Sequence, residues 1–235
     1  MDAIFKLPGS IISKSKQSEI FIYNFKGKTF YIKRYFRSEN VRSWLGFSRF
    51  RVEVRNQTWF NQQAIPSAKV VAIGEESFLL KTRKGVLITE GVENSKDLLS
   101  IVQNTPEKFE DTHWRDSVFF QIAKITSQLH EKRFCHNDLH WRNILVQDKK
   151  NSEPKIFLID CPSGKRLTWP LLHYHQIKDL ANLDKKAPRY LTRTQRLKYF
   201  LVYKGSLKLS LDDKKIVREI FKHKENRIRR KAKEQ

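Results

Sequence analysis

Three side chains in the middle of this chain have the types and spacing for phosphoryl transfer. In His136-Asn137-Asp138-Leu139-His140-Trp141-Arg142-Asn143 a carboxylate precedes a carboxamide by five positions, and a second carboxylate, Asp160, closes the apolar run Ile156-Phe157-Leu158-Ile159. A loop between strands can present such a set around one nucleotide phosphate. Asp138 would take the proton of an attacking hydroxyl, while Asn143 and Asp160 would offer hard oxygen ligands to Mg²⁺.

The spacing follows the protein-kinase pattern H-R-D-L-x-x-x-N, with Asp160 at the position of the Asp in D-F-G. Three departures stand out: Asn137 replaces Arg, His140 replaces Lys, and Cys161-Pro162 replaces Phe-Gly. D-L-H at this point suits kinases of small molecules and sugars better than kinases of proteins.

Such groups need rigid supports. Trp114, Val118, Ile122, Ile125 and Leu129 recur at helical spacing, so residues 112–132 are expected to form a long amphipathic helix that delivers the chain to Phe134-Cys135-His136. Leu145-Val146 and 156–159 read as short buried strands. Upstream, 19–25 and 29–35 read as a hairpin closed by Lys26-Gly27-Lys28. Lys33 falls where the V-A-I-K strand lysine pairs with ATP phosphates. A helix over 49–63, stopping before Ile65-Pro66, offers Glu53 as the anion that aims Lys33; an ordinary surface Glu–Arg pair is the competing role.

The place of a glycine-rich phosphate loop is taken by Ser13-Lys14-Ser15-Lys16-Gln17-Ser18, where Lys14, Lys16, hydroxyls and backbone N–H groups could hold phosphate. Period-2 alternation puts Tyr31 on the face of Lys33, where its ring would crowd adenine. Strands are expected at 70–73, 77–82 and 86–89, completing a mainly antiparallel sheet of about five strands. Thr89, Glu90 and Gly91 are the expected adenine edge. From Asn94 the chain turns helical. Asp179 could anchor the backbone of the Asp138 loop or serve as a helix N-cap. His173-Tyr174-His175 alternates as two strand ligands would, but no third ligand is at a zinc spacing.

The chain has 235 residues, 39% of them hydrophobic, with 47 Lys+Arg against 25 Asp+Glu and a net charge of +22. That surface attracts polyanions: nucleic acid, anionic lipid head groups or a phosphorylated substrate. Cys135 and Cys161 make no disulfide framework, which points to a reducing cytoplasm. Neither a signal peptide's apolar core nor a membrane-spanning run is present. Asn56-Gln57-Thr58 fits a glycosylation sequon that has no use without secretion. The tail over 212–235 is a basic helix with Ile216, Val217, Ile220, Phe221 and Ile228 interspersed, suited either to an anionic membrane surface or to packing on the domain.

Taken together, the Asp138 loop, Lys33, Ile159-Asp160, Lys178-Asp179-Leu180 and Thr192-Arg193-Thr194-Gln195-Arg196 resemble the bacterial lipopolysaccharide core kinases, the Kdo/WaaP family, from about Gly9 to Lys204. The resemblance implies an α+β, bilobal protein-kinase-like fold: an N-lobe over 1–91 with a small antiparallel sheet, and a mainly helical C-lobe over 92–235. It implies a cytoplasmic enzyme, peripheral on the inner membrane, that uses ATP and Mg²⁺ to phosphorylate heptose or Kdo of the anionic lipopolysaccharide core glycolipid. Asp138 would be the base, Asn143 and Asp160 the metal ligands, and Lys33 with Glu53 the phosphate-orienting pair. The alternatives are a kinase of another acceptor, such as a protein or an aminoglycoside, and a catalytically silent kinase-like fold that binds RNA or membrane through its basic surface. The intact catalytic set argues against nucleic acid as the partner.

Overall fold

The computed structural model describes Ile4 and residues 10–36, 48–78, 81–150 and 152–233. The chain forms two compact units: Met1–Ser95 with Phe157–Ser163, and Lys96–Ile156 with Gly164–Gln235.

The first unit is built on an antiparallel sheet of β1 (Ser10–Lys14), β2 (Ser18–Phe25), β3 (Lys28–Tyr35), β4 (Val70–Phe78) and β5 (Lys81–Glu90), in the order β1-β2-β3-β5-β4. Lys26 and Gly27 both have positive φ, the type I′ geometry that matches the twist of a two-residue hairpin. Phe21, Ile32 and Val86 pack together as one core cluster, while Tyr35, Phe50 and Leu87 form another with helix α1 (Arg49–Gln62). Ser48 caps α1 by accepting from Arg51 N at 3.2 Å. Gly85 is required under this helix, because a Cβ there would lie 2.6 Å from the Phe50 ring.

Five strands form, but not the expected five. The reading of 77–82 and 86–89 as separate strands is corrected: they belong to the β4–β5 hairpin, with 79–80 outside the described residues. Residues 74–76 continue β4 beyond Ile73, with a shift of register between Glu76 and Ser77, and their charges find partners, Glu75 with Arg51 at 2.8 Å and Glu76 with Lys84 at 3.5 Å. The fifth strand is β1, in part of the stretch read as a phosphate loop. The segment after Ile156 joins this unit through Leu158, whose N–H donates to Pro66 O at 2.8 Å.

The second unit holds α2 (Leu98–Asn104), α3 (Thr112–Glu131), α4 (Leu171–Asp184), α5 (Arg193–Lys204) and α6 (Leu211–Lys233). Short strands β6 (Ser95–Asp97), β8 (Ile144–Gln147) and β9 (Lys155–Leu158) run side by side in the order β6-β8-β9, and β7 (Phe134–Cys135) pairs with β10 (Lys165–Arg166). Asp111 caps α3 by accepting from His113 and Trp114 N–H, and the expected stripe from Trp114 to Leu129 is buried throughout. At α5, Thr192 and Gln195 form a reciprocal capping box, and Gly205 closes the helix at φ 62°.

Helix α4 begins at Leu171, before the expected start at Asp179, and it carries His173 and His175 on helix rather than strand. The first part of α6 packs: Ile220 is buried with Ile177, Leu180 and Ala181, and Ile216 lies against them. Lys224 and a bidentate Arg196 converge on Asp184, the latter at 2.6 and 2.7 Å. No helix among the described residues is long and apolar enough to cross a membrane.

Candidate active site

The first charged cluster lies in the sheet unit. Lys33 Nζ stands 2.8 and 2.9 Å from the two Glu53 oxygens and 2.6 Å from Asp160 Oδ1. Strand β3 fixes the lysine, and α1 fixes the glutamate. The positive φ of Asp160, 56°, turns the chain at the end of β9 so that this carboxylate meets the same ammonium. Burial alone would disfavour the charged lysine, yet the two carboxylates outweigh it and hold the Lys33 pKa above its usual value. Two anions share one cation, and burial raises the pKa of Glu53 as well.

Two further residues complete this cluster: Tyr35, not singled out from sequence, and Asn56, noted there only as a sequon asparagine. Tyr35, two positions along β3 from Lys33, donates its hydroxyl to Glu53 Oε2; burial and the Glu53 charge raise the Tyr35 pKa, so it remains a donor. Asn56, one turn beyond Glu53 on α1, donates to Cys161 O at 2.8 Å and so holds the turn that carries Asp160. Gln57 donates to Ala68 O at 2.6 Å. The sequon asparagine is thus a buried structural donor. Its signal was available: Glu53, Asn56 and Gln57 share a helix face at i, i+3, i+4, where surface residues would have no reason to be amide-rich.

The proposed phosphate loop is a tight β1–β2 turn. Ser15 N–H donates to Ser18 O at 2.8 Å, and Ser15 Oγ accepts from the N–H groups of Gln17 and Ser18. These backbone and hydroxyl groups are engaged within the turn, while Lys14 and Lys16 are exposed on it. At the expected adenine edge, Thr89 pairs in the sheet, Glu90 N–H donates to Lys69 O at 2.9 Å, and Gly91 N–H donates to Thr29 O at 2.7 Å. Glu90 also pairs with Lys28 at 2.7 Å. The Tyr31 ring lies over this edge, since a Cβ on Gly91 would come within 3.1 Å of it.

The second cluster belongs to the helical unit. Asp179, fully buried in α4, accepts the N–H groups of His136 and Asn137 at 2.7 Å each. Of the two roles considered for it, backbone anchor and N-cap, the geometry is that of the anchor. Asn137 sits at φ 65°, a left-handed conformation that Asn tolerates better than Arg, and its side-chain oxygen is bonded by His175 Nδ1. His130 bonds Tyr203 Oη at 2.9 Å and lies 3.5 Å from Asp179. His130, Cys135 and Asp179 have ligand atoms within 4.8 Å of one another. Asp179 is committed to the loop, however, and burial followed by the Asp179 charge pushes the Cys135 thiol up to about 12, so this group reads as an anchor.

The loop so held presents Asp138. Its Oδ2 accepts from Asn143 Nδ2 at 3.0 Å and Arg142 Nη2 at 3.2 Å, and His140 Nε2 lies 3.3 Å from Oδ1. Asn143 donates also to the Asp138 carbonyl at 2.8 Å. Both its amide hydrogens therefore face Asp138, leaving the amide oxygen as its ligating atom. Burial lowers the His140 pKa and Asp138 opposes this, so a neutral imidazole can donate from Nε2. The Asn143 amide oxygen in this unit, and the Asp160 carboxylate in the other, are each a hard oxygen donor of the kind Mg²⁺ takes.

The likenesses to known proteins agree with this chemistry. A model of the lipopolysaccharide kinase (Kdo/WaaP) family matches residues 12–203. A 3-deoxy-D-manno-octulosonic acid kinase of Actinobacillus succinogenes is 37% identical over 122 residues, 52% of this chain and 45% of the relative. One of Mannheimia succiniciproducens is 31% identical over 99 residues, 42% of this chain and 38% of the relative. The matched stretches thus span less than half the length of these curated relatives. A solved structure described as WaaP in complex with acyl carrier protein superposes with a TM-score of 0.76 at 18% identity, covering 96% of this chain and 91% of that one. At that identity it shows the fold, a kinase-like α+β arrangement.

Proposed function

This chain belongs to the lipopolysaccharide kinase (Kdo/WaaP) family, and on that premise we propose that it transfers the γ-phosphate of ATP to a sugar hydroxyl, heptose or 3-deoxy-D-manno-octulosonic acid, of the lipopolysaccharide inner core. The names of its relatives favour the second sugar. The observation that carries the reading is Asp138, held with Asn143 in a loop whose backbone is fixed by the buried Asp179.

Asp138 takes the proton of the acceptor hydroxyl as its oxygen bonds to the γ-phosphorus and ADP leaves. Neutral His140 steadies the other carboxylate oxygen. Lys33, aimed by Glu53, orients the ATP phosphates. Asn143 and Asp160 would hold Mg²⁺, which supplies charge neutralisation at the phosphates. The +22 charge suits peripheral work at an anionic membrane from its cytoplasmic face, each basic residue near the surface adding about 1 kcal/mol.

The test is phosphate transfer from labelled ATP, with Mg²⁺, to a lipid A precursor carrying 3-deoxy-D-manno-octulosonic acid. Asp138→Ala should lower the rate by about 10³-fold. A wild-type protein that binds no ATP in the presence of Mg²⁺ removes the proposal.

A second reading concerns a partner. The helical unit has a mainly apolar, solvent-open pocket of about 960 Å³ lined by Ile122, Leu180, Phe200, Val217 and Ile220, with Arg193 and Arg196 on its wall. An acyl carrier protein, the partner in the WaaP structure, would present an acyl chain for such a pocket. Purified carrier should bind more tightly acylated than unacylated. Equal binding would take the pocket out of this reading.

A further inference from the structure

The residue between the aromatic anchor and the amide of the Asp138 loop has the geometry of an acceptor-reading group. Trp141, Arg142 and Asn143 form a single 3₁₀ turn. Trp141 is buried against Phe109, Phe119 and Tyr190, with ring centroids 6.1, 5.6 and 5.8 Å away. Asn143 is buried against Asp138. With its two neighbours held inward, Arg142 is turned outward, and 60% of its side chain is exposed.

That outward guanidinium is bonded to Asp138 Oδ2 through one nitrogen only. Asp138 has both oxygens in use, Oδ2 by Asn143 and Arg142 and Oδ1 by His140. Oδ2 has both of its lone pairs engaged, so to take a hydroxyl proton at that oxygen Asp138 must release Asn143 or Arg142. Asn143 is buried and doubly bonded to Asp138, and His140 is largely buried; Arg142 is the donor on an exposed, flexible stem. A guanidinium leaving a carboxylate is best replaced onto another planar anion, which it can grip with two parallel N–H groups. Lys185 and Arg227 lie within electrostatic reach of the same loop at His140, so the surroundings favour an anion there.

The geometry points to Arg142 as the specificity-determining residue of the acceptor site: it binds a carboxylate of the acceptor sugar and, in doing so, frees Asp138 Oδ2 for the hydroxyl proton. This rests on the sugar-kinase reading above and narrows it to an acidic sugar.

The experiment uses the full chain with ATP and Mg²⁺ and two acceptors: a lipid A precursor ending in 3-deoxy-D-manno-octulosonic acid, and the same glycolipid with that carboxylate as its methyl ester. Wild type should prefer the acid in kcat/KM by about 100-fold, Arg142→Lys should retain about tenfold, and Arg142→Ala should fall to within about threefold of no preference. Equal losses on both acceptors would mean that Arg142 only holds Asp138, and would overturn the inference while leaving the kinase reading intact. A wild type that does not distinguish the acceptors overturns it equally. Transfer to neither acceptor, with ATP bound, removes 3-deoxy-D-manno-octulosonic acid as the acceptor and the inference with it.

Discussion

The two charged clusters solve opposite problems. Around Lys33 the ammonium, the Glu53 carboxylate and the Tyr35 phenol are buried and bonded to one another, and Asp160 joins them from the turn after β9 with a third of its side chain exposed. Around Asp138 the carboxylate is a quarter exposed, its partners lie within five residues of it, and one of them stands in solvent. A group that orients charge gains from being immobile in a low-dielectric setting. A group that must exchange a proton with an incoming molecule needs an open side and a replaceable partner.

The contrast can be broken at the lysine, where the largest effect on stability is expected. Lys33→Met leaves Glu53 buried without its cation and should cost about 3–5 kcal/mol in urea unfolding, with phosphate transfer falling by about 10²-fold. Adding Glu53→Gln should restore part of the stability and none of the activity. The sign of the pH dependence follows from the raised Lys33 pKa. Its contribution is fully present below pH 10.5, the ordinary lysine value, and is lost as pH rises through the higher folded value, where wild type and Lys33→Met should converge.

A smaller effect is expected at the anchor of the exposed cluster. Asp179→Asn keeps the size but meets one of the two loop N–H groups with an amide donor, and should cost about 2 kcal/mol. If the loop is held as described, transfer falls by more than Asp138 accessibility alone explains, with KM for ATP changing less than kcat.

Smallest is Tyr35→Phe, which removes one hydroxyl from Glu53. It should cost about 1.5 kcal/mol and raise KM for ATP more than it lowers kcat, because it loosens the aim of Lys33. A fall in kcat alone would show that the phenol acts elsewhere.

The same contrast explains what could be read in advance. The Asp138 cluster is local, its donors fixed by a spacing of two, four and five residues, so the pattern of types displayed it directly. The buried cluster is not local: Lys33 and Asp160 are separated by 127 positions, and Glu53 could be ranked only on a par with a surface role until α1 was seen to face β3. Tyr35 gave no motif and Asn56 gave only a sequon of another meaning, since the partners of a tyrosine in a strand and of an asparagine on a helix face are known only once the chain has folded. The β1 strand was hidden for a related reason. Ser10–Lys14 is exposed along its length and has no apolar alternation, so only its pairing with β2 makes it a strand.

By itself, then, the sequence determined the chemistry: an Asp–Asn loop of phosphotransfer type, a long apolar helix delivering it, a hairpin lysine and a strongly basic surface, all written in short-range spacing or in composition. The tertiary structure decided which carboxylates share the lysine, that Asp179 holds the loop by its backbone, and that Arg142 faces outward while its neighbours are buried. The physical reason is the same in each case. Spacing along the chain fixes which atoms can reach one another within a turn or a strand. Burial, partner choice and exposure are set by segments that meet only when the chain has folded.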